Sequence, residues 1–158
     1  LKSGLIIKVF ILDTPSLPLK NFKKDNIFKV YLFDTGLLGC MSDLSFDSIL
    51  NQDYGRYKGF YAENFTAQEF IAAGYPGAGS RELFSWAGKN SEIEFLKVID
   101  NSVVPVEVKS GHRTKAKSLL FYKNKYEPPL QIKITANNLQ RDNPQMHNYP
   151  LYLAGKIK

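Results

Sequence analysis

At 158 residues, with 44% apolar and 13% aromatic side chains, the chain can bury a core of its own and is too hydrophobic to stay disordered. Its 21 basic and 15 acidic residues give a net charge of +6, which leans toward a polyanionic partner without requiring one. The single cysteine, Cys40, excludes an internal disulfide framework and fits a reducing, cytoplasmic setting, and no run approaches the ~18 apolar residues of a membrane span.

Residues 5 to 12, LIIKVFIL, read as a strand; the run is short, carries Lys8 and lacks the flanks of a signal peptide. A loop punctuated by prolines covers 13 to 26. The segment IFKVYLFDTGLLGCMS then gives a second apolar strand ending at Asp34-Thr35-Gly36. Asp-Thr-Gly is also how aspartic proteases present a catalytic carboxylate, but that chemistry needs two carboxylates sharing a proton and the chain has one such triplet. Asp34 and Thr35 are therefore expected to end the strand and cap a turn or helix, with Gly36 supplying backbone freedom. Residues 44 to 52 are weakly helical. The strongest helix spans 57 to 75, where Phe60, Ala62 or Glu63, Ala67, Phe70 and Ile71 recur at helical spacing and Gly74 is placed to stop it.

Three strands follow closely: ELFSWAG (82 to 88), EIEFLKVI (92 to 99) and VVPVEVKS (103 to 110), joined by KNS and DNS as a meander. Residues 114 to 126 are helix-like, 130 to 138 return as a strand with Ile132 and Ile134 alternating, and 149 to 157 read as a last short strand. From Tyr57 onward the order is helix, three strands, helix, strand, which makes an α/β layer with a mixed sheet. The chain has no G-x-x-x-x-G-K-[ST] phosphate loop, and its two histidines, His112 and His147, are too far apart in sequence to favour a zinc site.

Charges interrupt the meander in a pattern. Alternation puts Glu107 and Lys109 on one face of their strand and Val106 and Val108 on the other. On the strand before, Glu92 and Glu94 share a face opposite Ile93 and Phe95, and a hairpin through IDNSVV brings Glu94 beside Glu107. Two adjacent carboxylates repel unless a cation or proton separates them, and hard oxygen ligands suit Mg²⁺ or Mn²⁺. Glu63, on the helix upstream, is a third acid. Lys109, Arg113, Lys115, Lys117, Lys123 and Lys125 fall within seventeen positions that contain no acid. They fit phosphate contacts that position a duplex, or an ordinary solvated helix surface. Trp86 and Tyr122 are read as packing residues rather than base-stacking ones.

A helical Glu, a strand acid and then E-x-K, in the order α-β-β-β-α-β, resembles the PD-(D/E)XK nuclease superfamily. The segments FKVYLFDTGLL, YAENFTAQEF, SEIEF and VPVEVKSG, in this order, narrow the resemblance. Together they look like the nuclease-like domain of unknown function at the C-terminal end of a large prokaryotic AAA+ ATPase family, from about Gly4 to about Asn138. The resemblance implies a restriction-endonuclease-like core with a mixed central sheet flanked by helices over residues 57–158. Residues 1–56 would be N-terminal strands and loops leading in from an ATPase part. It implies hydrolysis of phosphodiester bonds, with Glu94, Glu107 and the Val108 carbonyl holding Mg²⁺ or Mn²⁺. Glu63 would support the metal and Lys109 would orient the attacking water. Arg113, Lys115, Lys117, Lys123 and Lys125 would contact nucleic acid, DNA foremost. ATP would bind only in the preceding ATPase part, the domain's other partner, and no membrane is involved. The family pattern has Asp at the position of Glu94, and Glu carries its oxygens ~1.5 Å farther from the backbone. The alternative is the same fold without catalysis, as an interaction or regulatory module of the ATPase.

Overall fold

Alternating apolar residues build strands throughout the chain, and in the computed structural model, which describes residues 4–51, 54–74, 82–112 and 116–158, seven of them join one sheet. The strands are β1 (Ile6–Leu12), β2 (Phe28–Leu32), β3 (Leu83–Ala87), β4 (Glu92–Ile99), β5 (Ser102–Val108), β6 (Gln131–Thr135) and β7 (Met146–Pro150). The helices are α1 (Thr35–Met41), α2 (Phe46–Leu50), α3 (Lys58–Ala72) and α4 (Lys117–Tyr126). Strand order is β2-β1-β3-β4-β5-β6-β7. β1 and β3, β5 and β6, and β6 and β7 run parallel, and the other neighbours are antiparallel, so the sheet is mixed, as expected.

Two apolar layers flank this sheet. On one face Ala62, Ala67 and Phe70 of α3 pack on Ile7, Val9, Phe95, Val104, Val106 and Val108. On the other, Leu119 and Tyr122 of α4 pack on Leu12, Trp86, Ile93 and Leu96. The valines of β5 thus alternate as the sequence predicts, leaving Glu107 to the α4 side. Trp86 and Tyr122 are each 1% exposed, with ring centroids 5.2 Å apart edge to face, which bears out their reading as core.

The expected hairpin is tight. Asp100 and Asn101 both have positive φ (48° and 59°), the backbone that a two-residue turn needs to match strand twist, and Ile99 faces Ser102 across it. Three expectations need correction. β4 does not alternate cleanly: Phe84 faces Leu96 but Trp86 faces Ile93, so Glu94 and Phe95 bulge opposite Ser85 alone. Phe95 joins the α3 layer and Ile93 the α4 layer, and these two do not share a face as the sequence predicted. The terminal segment 149–157 is not a strand; β7 ends at Pro150 and Leu151–Lys156 forms a 3₁₀ helix. That helix lies against α3, where a Cβ on Gly155 would come within 2.9 Å of Glu69 Oε2. Gly36, finally, sits within α1 and is not needed for unusual backbone.

Asp34 caps α1 as expected, its Oδ1 accepting from the Leu37 amide at 2.6 Å. Asp34→Ala is expected to cost about 1 kcal/mol, read as a lower urea midpoint at unchanged m-value. Helix α3 also grips the strand end before it. Asn64, fully buried, accepts from Leu32 N–H at 2.8 Å and donates to Leu32 C=O at 3.1 Å, as a neighbouring strand would. Gln68 Oε1 accepts from the amide and the hydroxyl of Thr35, both at 3.0 Å.

Candidate active site

Glu94 and Glu107 stand beside each other where the β4–β5 ladder ends, one step past the Phe95–Val106 pair. Glu107 is 1% exposed and Glu94 is 6% exposed. Each carboxylate is fixed by a backbone amide through one oxygen: Glu94 Oε2 accepts from Val108 N–H and Glu107 Oε2 from Leu119 N–H, both at 3.3 Å. The other oxygen of each meets the same ammonium. Lys109 Nζ lies 2.8 Å from Glu107 Oε1 and 3.5 Å from Glu94 Oε1.

Burial and charge set the protonation here. Burial pushes the Glu94 carboxyl up to about 7; the Lys109 charge pulls against this, and the fields of Glu107 and Glu63 add to it. For Lys109, burial pulls the amine down, but the hydrogen bond to Glu107 and the charges of both carboxylates outweigh it, so it is held above its ordinary value as a firm cation. Its contact with Glu107 is the closer of the two, at 2.8 Å against 3.5 Å for Glu94.

Glu63 does not join this pair directly. Its Oε2 accepts from the Tyr31 hydroxyl at 2.8 Å, and it reaches Glu94 only through its field. Burial and the Glu63 charge keep Tyr31 a phenol, and so a donor. Among the described residues, no group of three or more His, Cys, Asp or Glu side chains is gathered closely enough to hold a metal ion. The donor set at Lys109 is two carboxylate oxygens. Glu92 is drawn off to the side by Lys29, at 2.6 Å. Val108 contributes its amide to Glu94. Lys117, Lys123 and Lys125 lie exposed on α4, with Lys123 donating to Gln145 at 3.2 Å and Lys125 lying 5.0 Å from the Tyr126 ring. Arg113 and Lys115 fall outside the described residues.

The family model for a domain of unknown function, DUF4143, matches residues 58–153. The chain belongs to this family. The matched span begins at the first residue of α3 and ends within the terminal 3₁₀ helix, so it holds Glu63, Glu94, Glu107 and Lys109 but neither β1 nor β2. The resemblance read from the sequence starts earlier, near Gly4, and stops sooner, near Asn138. No curated protein and no solved structure matches the chain.

Tyr31 and the Leu119 amide are the parts of this candidate site that sequence reasoning misses. Tyr31 lies 32 positions before Glu63, and no spacing rule connects them. The alternation of Lys29 and Tyr31 along FKVYL is the one available signal, since it puts both on the face of the sheet that α3, with Glu63, covers.

Proposed function

We propose that this DUF4143 domain is the nuclease-like C-terminal module of a AAA+ ATPase, binding nucleic acid and hydrolysing phosphodiester bonds with Mg²⁺ or Mn²⁺. One observation carries the reading. Two buried carboxylates are each anchored by a backbone amide and turn their second oxygen onto a single cation, the ammonium of Lys109. The donor chemistry fits a hard divalent ion, with Lys109 as the present stand-in for positive charge. Glu94, Glu107 and the Val108 carbonyl would hold the metal, which when bound supplies Lewis-acid polarisation of the phosphate and a water of lowered pKa. Lys109 neutralises charge developing on the phosphate and orients the water. Tyr31 fixes the rotamer of Glu63, so that acid holds water or bears on Glu94 from a set position. The fold supports the reading through its α-β-β-β-α-β order from Lys58.

The same ion pair favours a second reading. Lys109 already satisfies both carboxylates, as it would in an inactive module that docks on or regulates the ATPase. Calorimetric titration with Mn²⁺ separates the two. The nuclease reading expects saturable binding by the wild type, none by Glu107→Ala, and cleavage of DNA or RNA that falls about 10²-fold or more in Lys109→Met. Absence of heat with every divalent ion tried, together with no cleavage by the domain alone or joined to its ATPase part, leaves the docking module.

A further inference from the structure

A cleft of about 510 Å³ opens at Ser110, the residue that follows Lys109 in the chain, past the carboxyl ends of the parallel strands β5 and β6. Such crevices are where open α/β sheets receive ligands. Ser110 and His112, which continue from β5, form one wall. Tyr54 and Lys58, at the entry to α3, and Ile49 and Leu50 of α2 form the other. No carboxylate is among the described residues that line it.

The His112 wall is held by a relay of polar groups. Asn137 donates from Nδ2 to the His112 carbonyl at 3.1 Å, which turns its Oδ1 toward His112 Nδ1 at 3.0 Å. An acceptor there places the proton on Nδ1 and leaves Nε2 to meet a ligand. Asn137 is itself fixed, its amide donating to Thr135 Oγ1 at 3.0 Å. Thr135 in turn donates to the buried Asn148 at 2.7 Å, and Asn148 donates to the Asn138 carbonyl at 2.9 Å. The ring at the cleft is thus tied to the sheet through three side chains, the kind of support that holds a binding group in one geometry.

The lining combines an aromatic ring and two aliphatic side chains with an ammonium, an imidazole and a hydroxyl. Those groups match an unpaired nucleotide: ring and aliphatics for the base, Lys58 and His112 for the phosphate, Ser110 for a sugar or phosphate oxygen. The volume lies in the range of sites for one small ligand, ~300–1,000 Å³. A base inside a duplex presents its edge and not its face, so it cannot use Tyr54 in this way.

We propose that this cleft binds one unpaired nucleotide of a single-stranded nucleic acid and sets the adjoining phosphodiester at Lys109. Delivery to Lys109 rests on the nuclease reading; binding in the cleft does not. The test is fluorescence anisotropy in EDTA with a labelled 12-nucleotide single strand, as DNA and as RNA, and with the duplex of the same sequence. The single strand is expected to bind at least tenfold tighter than the duplex. Tyr54→Ala, Lys58→Ala and His112→Ala should each weaken it about five- to tenfold, while Tyr54→Phe keeps wild-type binding and thermal midpoints stay unchanged. Equal binding of single strand and duplex, or wild-type affinity in all three alanine variants, overturns the proposal. Cleavage by the wild type and by the cleft variants separates the two inferences. Cleft-dependent binding with no cleavage by the wild type sinks the nuclease reading alone, and Mn²⁺-dependent cleavage that cleft variants leave untouched sinks the subsite alone.

Discussion

Glu107→Ala is expected to lower folding stability by about 2–3 kcal/mol and to abolish divalent-metal binding. The side chain has two structural duties besides its proposed chemistry. It pairs with Lys109, and removing one partner of a buried ion pair costs ~3–5 kcal/mol. The Lys109 side chain is 35% exposed and can turn into water, which places the loss toward or below the low end of that range. The second duty is at α4, where Ala116 offers no side-chain cap. Glu107 substitutes from a neighbouring strand, accepting the amide of Leu119, the third residue of the helix. A carboxylate at a helix N-terminus also complements the backbone dipole. Glu107→Gln keeps the size and an acceptor, so it should cost about 1 kcal/mol while still losing the metal. Urea unfolding in EDTA reads the first effect and calorimetry the second. If Glu107→Ala unfolds at the wild-type midpoint, the pairing and the cap contribute nothing to the fold.

The second large effect is a dependence of stability on pH carried by Glu94. Its folded pKa, about 7, lies above the ordinary value of 4.5, so the folded chain binds this proton more tightly than the unfolded one. The stabilisation is fully present below pH 4.5 and is lost as pH rises through 7. The span is up to about 3 kcal/mol at 1.36 kcal/mol per pKa unit. Measured in EDTA against Glu94→Gln, which cannot titrate, the wild type should lose ground steadily from pH 5 to pH 8. A stability difference between the two that stays flat over this window means Glu94 is ionised throughout. Metal binding should run the other way. Each pH unit below 7 costs the wild type close to tenfold in apparent Mn²⁺ affinity, because the carboxylate must first give up its proton.

Much of this arrangement is legible in the chain. The edges of β4 coincide with the predicted 92 to 99, because Ser91 and the Asp100-Asn101 turn bound an apolar run on both sides. The same turn fixes the register that brings Glu94 beside Glu107, so the central pair follows from local chemistry. The bulge does not. EIEFLKVI alternates well enough to pass for a plain strand, and only the neighbouring β3 decides that Glu94 and Phe95 both oppose Ser85. The end of the chain misleads for a related reason: YPLYLAGKI has strand-like residues, yet Pro150 and Gly155 let it coil against α3, where Ala154 and Ile157 are buried. Contacts such as Tyr31 to Glu63, and Leu119 N–H to Glu107, join elements brought together by the fold, and no periodicity encodes them.

The bond from Tyr31 to Glu63 bears on how much of the polypeptide this domain can spare. A chain shortened to begin at Lys58, where the family match begins, would retain all four residues proposed for chemistry. It would also lose β1, whose parallel ladder covers β3, and β2, which carries Tyr31. β3 would then become a raw border of the sheet, a template for other chains to add to. Such a piece should clump or swap strands rather than fold as a smaller domain. The first two strands, though outside the family span, cover the edge that β3 would otherwise present.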